Sequence, residues 1–251
     1  MAPDSLARVV GELPAAWHGQ FFATLDSTQD VAKAAARAAA PDRSIVVADF
    51  QRLGRGRHGR TWSAAPGSAL LLSILFREAA AQSTTPWRFT CLASVALLQA
   101  IEGCAPHAPV AIKWPNDVML ADRKVAGILA ETSWDGRELV AIVGVGVNVN
   151  AEPEEVPGAT SLSRAAGALV DRGALLSTFL RSLDELRTLP VEELHRRWEA
   201  RLWRRGQTLR LLDTDRQAEE VVVLGAASDG SLRVRGSDGV ERRTSTGELL
   251  G

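Results

Sequence analysis

The hydrophobic positions of the chain fall first into compact apolar runs. Residues 44–50 (SIVVADF) and 69–76 (ALLLSILF) have the length and the aliphatic content of buried strands. Three more apolar segments, at 110–114, 124–132 and 138–150, are joined partly through turn residues. The pattern therefore predicts a largely antiparallel meander within one sheet.

A second pattern places residues at helical spacing. The alanine-rich residues 29–40 contain strong helix formers, follow two N-cap candidates, Ser27 and Thr28, and stop at Pro41. The Ser-Thr pair is therefore predicted to lie at the start of a short helix.

The other helical segments are longer. Residues 87–101 carry Cys91 among their core positions, and we expect this helix to end before Gly103. Asp171 is a suitable cap for a helix that is broken by Pro190. One further helix places three apolar side chains on one face: Leu194, Trp198 and Leu202.

After Gly206 the pattern changes to short strands with polar turns at 228–230 and 237–239. This spacing predicts a small β-barrel. Because a unit of this size is only marginally stable by itself, we expect it to lean on a larger domain. The predicted division is one domain over 1–205 and a second over 206–251.

Composition limits the class of protein. A chain of 251 residues with 46% hydrophobic content can bury a large core without disulfides or metals. Its two cysteines, Cys91 and Cys104, form neither a disulfide framework nor a zinc site, which favours a reducing compartment. No apolar stretch is long enough to span a bilayer, and no export signal is evident. We therefore expect a cytoplasmic protein.

Charge adds one local feature. The formal net charge of −1 does not give the broad positive field of a general nucleic-acid binder. Residues 51–60 (QRLGRGRHGR) nevertheless combine three glycines with four arginines directly after a predicted strand. Flexible backbone with forked positive charge suits the joint binding of a carboxylate and a phosphate. Alone, such a loop is more typical of an RNA-contacting or solvated segment.

Neighbouring residues strengthen the ligand interpretation. Trp62 is either a core side chain or a plane that stacks on a purine. In the pentapeptide 113–117 (KWPND), proline fixes a turn that presents a lysine, an amide and a carboxylate. Asn116 could contact an adenine edge, and Asp117 could hold magnesium or orient the arginines, although both are also ordinary turn residues.

Glycines within predicted strands point the same way. Gly127 interrupts an apolar strand, which is costly unless something approaches the backbone there, and we expect that group to be a ligand. Gly144 and Gly146 also thin out a central strand. Lys124 could then supply a point charge to an acyl carboxylate or a phosphate. The alternative without a functional role is a lysine at a solvent-facing strand end. The chain lacks the P-loop, dinucleotide, zinc-protease and serine-hydrolase signatures.

Five blocks of the sequence, taken together, resemble the biotin protein ligases in order and spacing. They are Ser27–Asp30, Gln51 with Gly54–Arg60, Lys113–Asp117, Lys124–Leu129 and Gly144–Asn148. The resemblance implies an α+β fold: a class II synthetase-like mixed β-sheet with flanking helices, followed by a C-terminal SH3-like small β-barrel.

The resemblance also implies roles for individual residues. Arg57 and Lys124 would be catalytic, with Arg57 neutralising the biotin carboxylate and the α-phosphate, and Lys124 contacting the same carboxylate. The implied biotin site, in which Ser27, Thr28 and Gln51 bind the ureido ring, is Ser27, Thr28, Gln29, Gln51, Arg55, Gly56, Arg57, Lys124 and Gly127. The implied ATP and adenylate site is Arg57, Arg60, Trp62, Asn116, Lys124 and Asn148, with Asp117 as the metal ligand.

The implied activity is that of an ATP-dependent ligase that forms a carbon-nitrogen bond. Biotin would be activated to biotinyl-5'-AMP with ATP and Mg²⁺, pyrophosphate would leave, and biotin would pass to a lysine of a biotin carboxyl carrier protein. About 26 residues precede Ser27, too few for a helix-turn-helix, so we expect a monofunctional ligase without DNA or membrane partners. Exposed sheet edges would allow a homodimer.

Two alternatives stay open at this point. A lipoate or octanoate ligase or transferase is similar in fold, but the transferases use a cysteine nucleophile, and neither cysteine here lies near a ligand motif. An RNA-binding module built on the Arg-Gly loop would show salt-sensitive RNA affinity without ATP dependence, and the acidic balance of the chain disfavours it.

Overall fold

The computed structural model describes residues 5–79, 86–151, 156–215 and 217–250. The helices are α1 (Leu6–Gly11), α2 (Thr28–Arg37), α3 (Trp87–Cys104), α4 (Leu162–Ala166), α5 (Arg172–Arg187) and α6 (Val191–Glu199). The strands are β1 (His18–Leu25), β2 (Ser44–Gln51), β3 (Ala69–Ala79), β4 (Val110–Lys113), β5 (Asp117–Leu120), β6 (Arg123–Trp134), β7 (Glu138–Asn148), β8 (Thr208–Leu212), β9 (Ala218–Ala226), β10 (Leu232–Gly236), β11 (Glu241–Thr244) and β12 (Glu248–Leu250).

The first seven strands form one mixed sheet in the order β1-β2-β3-β7-β6-β5-β4. Strands β1 and β2 are parallel, and helix α2 supplies the crossover that parallel neighbours need. All other neighbours in this sheet are antiparallel, so the predicted meander is confirmed.

Helices cover both faces of the sheet. Helices α3 and α5 pack on one face and belong to the main hydrophobic core, while α2 lies on the other face over a smaller cluster that includes Val46, Leu75 and Ile142. Because both faces are covered, the run ALLLSILF in β3 is buried throughout, as its lack of alternation predicted.

Most of the predicted helices are confirmed, with changes at their ends. The Asp171 side chain caps α5 by accepting hydrogen bonds from the backbone N–H groups of Gly173 (2.8 Å) and Ala174 (3.2 Å). The predicted stop at Gly103 was wrong: α3 continues through this glycine to Cys104, because an interior glycine only lowers helix stability by about 1 kcal/mol.

Leu202 lies outside the helix predicted for it. Helix α6 ends at Glu199, and the following residues bend back so that Leu202 forms a parallel bridge with Ile112 of β4. The backbone N–H groups of Ile112 and Trp203 donate to the carbonyls of Arg201 and Ile112, at 2.7 and 2.8 Å. This segment therefore covers the outer edge of the large sheet, which protects that edge from other pairing.

The C-terminal strands form a separate antiparallel sheet in the order β11-β10-β9-β8-β12. Its turns contain Gly230 and Gly239 with φ of 86° and 77°, in the left-handed region that glycine favours. Side chains from this sheet, such as Val221 and Leu232, belong to the same hydrophobic core as the large sheet. The α+β fold with a mixed sheet and a small C-terminal β-unit is confirmed, and the expected support from the larger domain is present.

Two properties of the described residues bear on the class of protein. Cys91 is fully buried in the core, as predicted, and both cysteines are free. No helix in the described ranges is both long and apolar enough to cross a membrane.

Candidate active site

One cavity, with a volume of about 220 Å³, is lined by every residue that the sequence predicted for a ligand site. It lies across the large sheet and reaches from the end of β2 to β4 and to the loop before β12. The predicted residues in its wall are Ser27, Thr28, Gln29, Gln51, Arg55, Gly56, Arg57, Arg60, Trp62, Asn116, Asp117, Lys124, Gly127 and Asn148.

One end of the cavity carries uncharged hydrogen-bonding groups. The start of α2 places Thr28 against Gln51 at the end of β2, so that the Thr28 amide (2.7 Å) and hydroxyl (3.0 Å) both donate to Gln51 Oε1. The hydroxyl of Ser73 on β3 lies 2.9 Å from Thr28 Oγ1. The Ser27 hydroxyl is buried, and among the described residues it has no hydrogen-bond partner. This end is therefore built to bind a polar, uncharged group.

Gln29 supports this end from below. Its amide nitrogen donates to Glu131 Oε2 (2.7 Å) and to the carbonyl of Ile142 (3.2 Å), and its amide oxygen lies 2.9 Å from the Ser73 hydroxyl. A side chain at Gly144 would collide with this amide, at 2.7 Å from Gln29 Oε1. The Gln29 amide is thus committed to protein groups, and its predicted contact with biotin stays a prediction.

The carboxylate beneath Gln29 is held ionised. Lys33 Nζ lies 2.8 Å from Glu131 Oε1. Burial by itself would raise the pKa of Glu131, but the hydrogen bonds from Lys33 and Gln29 outweigh it and lower that pKa. The polar end of the cavity is therefore supported by the Lys33–Glu131 ion pair, which lies outside the cavity lining.

The Arg-Gly loop folds back on itself over the cavity. The amide of Trp62 donates to the carbonyl of Gly54 at 2.9 Å, and a side chain at Gly54 would collide with the Trp62 carbonyl. His58 and Gly59 adopt left-handed φ values of 55° and 72°, which reverse the chain at the tip. The closed loop directs Arg57 inward, where Arg57 Nη1 donates to Asn116 Oδ1 at 3.1 Å.

The indole of Trp62 packs directly on the backbone of two glycines, one in β6 and one in β7. Gly127 and Gly146 are register partners, and an added Cβ would lie 3.1 Å from Trp62 Cζ3 at the first and 2.5 Å from Trp62 Cε2 at the second. The expectation that a ligand makes the close approach at Gly127 is corrected, because the indole of Trp62 makes that approach. The Trp62 Nε1–H is buried without a partner among the described residues.

The other end of the cavity is strongly cationic. Lys124 on β6 pairs with Asp117 on β5 at 2.7 Å, and Lys124 Nζ lies 5.8 Å from the Trp62 ring centroid. Burial lowers the pKa of the Arg57 guanidinium, which Asp117 partly offsets. Burial also lowers the pKa of Lys113, which points into the same cavity from β4. Poorly solvated cations of this kind favour an anionic ligand.

The two asparagines are held by the backbone. Asn116 follows the cis Trp114–Pro115 peptide, and its Nδ2 donates to the carbonyl of Ile128 at 2.9 Å. Asn148 Nδ2 donates to the carbonyl of Thr160 at 3.1 Å. Both side chains therefore face the cavity in fixed orientations.

The C-terminal sheet contributes a wall that the sequence did not reveal. Arg60 Nη1 donates to Glu248 Oε1 at 3.2 Å, which joins the Arg-Gly loop to β12. This contact lowers the pKa of the Glu248 carboxyl. On the opposite side, Arg55 lies 3.1 Å from Asp30 of α2. The loop is thus tied at both flanks, to the start of α2 and to the C-terminal sheet.

The mixed sheet carries a cavity with a polar pocket at one end and a cluster of cations at the other, an arrangement suited to an organic acid beside a phosphate-containing group. A profile of the biotin/lipoate A/B protein ligase family matches residues 21–148, half of the chain. The chain belongs to this family.

Named relatives agree with the assignment. The bifunctional ligase/repressor BirA of Bacillus subtilis is 38% identical over 65% of this chain and 51% of the relative. The biotin–acetyl-CoA-carboxylase ligase of Paracoccus denitrificans is 34% identical over 77% of this chain and 85% of the relative. The chain spans about half the length of BirA.

A solved structure shows the same fold over nearly the whole chain. The biotin protein ligase from Aquifex aeolicus in complex with biotin and ATP superposes with a TM-score of 0.75 and 26% identity, covering 92% of this chain and 97% of that one. The likeness therefore includes the small C-terminal sheet as well as the large one.

Proposed function

We propose that the protein is an ATP-dependent biotin protein ligase. It converts biotin and ATP to biotinyl-5'-AMP with release of pyrophosphate, and then transfers biotin to a lysine of a biotin carboxyl carrier protein. The names of the relatives and the solved ligase complex with biotin and ATP support this proposal. The proposal includes the predicted domain division, with a catalytic domain over residues 1–205 and a smaller C-terminal domain over residues 206–251.

The observation that carries the proposal is the hydroxyl of Ser27, which is 1% exposed and has no hydrogen-bond partner in the described ranges. A buried hydroxyl without a partner costs about 1–3 kcal/mol, so it belongs in a site whose ligand supplies the missing hydrogen bond. The ureido ring of biotin offers a carbonyl and two N–H groups at its head. The dithiolane of lipoate and the alkyl end of octanoate offer neither.

The neighbouring amide complements this choice. Gln51 Oε1 already accepts two hydrogen bonds from Thr28, and among the described residues its Nε2 donates to no protein group. Ser27 and Gln51 therefore both have donors to offer to the ureido carbonyl, and the Thr28 hydroxyl oxygen lines the same end of the cavity as an acceptor for a ureido N–H.

The chemistry follows from the charged end. Arg57 and Lys124 offset the repulsion between the biotin carboxylate and the α-phosphate. A carboxylate oxygen forms a bond to the α-phosphorus, the bond from that phosphorus to the bridging oxygen breaks, and pyrophosphate leaves with the electron pair. The neutral amine of the acceptor lysine then attacks the acyl carbon and expels AMP. Trp62, Asn116 and Asn148 frame the adenine.

Magnesium fits the residues that are present. Within the described ranges no group of three or more His, Cys, Asp and Glu side chains could hold a metal without a ligand. Asp117 and Glu248 line the cavity, and Mg²⁺ is commonly held by one or two carboxylates together with substrate phosphates. Asp117 would hold the ion that arrives with ATP, and the ion would supply positive charge to the phosphates.

The cysteine-dependent transferases are disfavoured by the positions of both thiols. Neither Cys91 nor Cys104 is among the residues that line the cavity. Burial raises the pKa of both thiols, which keeps them protonated and poorly nucleophilic. The proposed reaction needs no covalent intermediate on the enzyme.

Exchange of labelled pyrophosphate into ATP tests the proposal without the acceptor protein. We expect exchange with biotin and none with lipoate, octanoate or no added acid. Exchange with lipoate or octanoate instead would move the chain to the sister activity. No exchange with any acid, together with ATP-independent and salt-sensitive RNA binding, would favour the binding module.

A further inference from the structure

The cations of the cavity differ in how they are neutralised. Lys124 pairs with Asp117, Arg60 with Glu248 and Arg55 with Asp30, while Arg57 donates to Asn116. Within the part of the chain that the structure describes, the side chain of Lys113 has neither a hydrogen bond nor an ion pair. Asp117 and Glu248 act on Lys113 only through their charge, so its ammonium keeps its N–H donors for another group.

Aromatic packing keeps Lys113 in place despite this lack of a counter-ion. Its Nζ lies 5.5 Å from the ring centroid of Trp203, and the guanidinium of Arg204 lies 4.4 Å from the same ring. The Trp203 indole N–H donates to Asp122, which fixes the ring. A lysine on an aromatic face is held through the quadrupole of the ring and keeps its N–H donors available.

The position of Lys113 selects which anion it would meet. The order of the large sheet places β4 five strand spacings from β2, roughly 24 Å along the sheet from the strand that carries Gln51. Lys113 also lies two strands beyond Lys124 of β6 and close to Arg60, on the side of the C-terminal sheet. The acid occupies the cavity between Ser27 and Lys124, so an anion at Lys113 lies beyond the reacting carboxylate.

We propose that Lys113 is a further catalytic residue that binds the β- and γ-phosphates of ATP and stabilises them as they leave as pyrophosphate. The inference rests on the proposed ligase function. In the step it assists, the bond from the α-phosphorus to the bridging oxygen breaks and its electron pair stays on pyrophosphate. The ammonium of Lys113 offsets the charge that builds up there and gives up no proton.

Lys113→Gln removes the charge and keeps a polar side chain of similar reach. Loss of a charged hydrogen bond to phosphate corresponds to roughly a 10- to 100-fold effect. We expect the KM values for ATP and for inorganic pyrophosphate in biotin-dependent exchange to rise by that factor, with little change in the Kd for biotin. Transfer from supplied biotinyl-5'-AMP to a carrier protein should stay near the wild-type rate, because pyrophosphate has no part in that step.

Two matched variants accompany this test. Arg210→Gln removes one positive charge from an exposed position on β8 and should leave exchange unchanged. Lys113→Arg keeps the charge and should recover most of the affinity for pyrophosphate, even if the glutamine variant is less stable. Equal losses in exchange and in transfer from supplied biotinyl-5'-AMP, or no loss in either, would overturn the role of Lys113. Absence of biotin-dependent exchange in the wild type would instead refute the ligase proposal.

Discussion

The contact between Gly146 and Trp62 gives a graded test of how the cavity is shaped. Alanine at position 146 would place a methyl carbon 2.5 Å from Trp62 Cε2 and 2.8 Å from both Cδ2 and Cζ2. Since carbon atoms pack at about 3.5–4.0 Å, the indole would have to move by roughly 1 Å. Gly127→Ala is milder, because its new methyl lies 3.1 Å from a single ring atom.

These displacements set the expected magnitudes. Overpacking of this severity costs about 1–3 kcal/mol, and we expect Gly146→Ala to fall in that range and Gly127→Ala below it. Misplacement of a positioning group by about 1 Å commonly lowers the rate roughly 100-fold, so kcat/KM for ATP should fall 10- to 100-fold in Gly146→Ala. KM for biotin should change less, because the hydrogen bonds that hold Gln51 come from Thr28.

Urea unfolding and biotin-dependent pyrophosphate exchange measure the two effects. Gly103→Ala is the matched control, because this glycine lies within α3 and an added Cβ there would meet no described atom outside the helix backbone and its chain neighbours within 4 Å. Alanine at this position should stabilise the protein by about 0.5–1 kcal/mol. If Gly146→Ala were as stable and as active as Gly127→Ala, the proposed steric limit on Trp62 would be refuted.

Three other substitutions probe the rest of the site. Ser27→Ala should weaken biotin affinity about tenfold without loss of stability, because its hydroxyl has no partner among the residues that the structure describes. Ser73→Ala should cost about 1 kcal/mol in urea unfolding, and equal stability losses would contradict this. Arg57→Ala should release more biotinyl-5'-AMP into solution, measured as free adenylate, and unchanged retention would count against its assigned role. The lowered pKa of Glu131 stabilises the protein above the unfolded pKa of about 4.3, and this stabilisation is lost as pH falls through the lower folded pKa. The stability difference between wild type and Glu131→Gln should therefore narrow from pH 7 to pH 3, and a constant difference would refute the assignment.

The sequence predicted the elements whose burial is uniform. The run in β3 is apolar throughout because both faces are covered, and α5 shows its cap and its helical spacing together. Strand β1 was missed because it lies at the edge of the sheet, with a burial pattern that does not alternate. Strand β5 was missed because its four residues begin inside the stretch interpreted as a turn. Strand β12 has only three residues.

The site residues that could be predicted are those that occur together in short sequence blocks. Each sequence block carried several polar or glycine positions, and the fold brings all five blocks to one cavity. Ser73 was overlooked because a single serine in a buried apolar run looks like filler, although a fully buried hydroxyl in such a run is itself a signal. Glu248 could not be found from spacing, because only the packing of the C-terminal sheet brings it to Arg60.

The wall formed by Gly247 and Glu248 has a consequence for the timing of synthesis. All other lining residues lie between 27 and 159, so the last part of the wall is made roughly 90 residues later. At about 5–20 residues per second, that interval is roughly 5–18 s. A nascent chain whose large sheet has already formed would hold its cavity open to water for this period. Arg60 gains its carboxylate partner, Glu248, only when β12 docks, so this side of the cavity closes after the rest of its wall has formed.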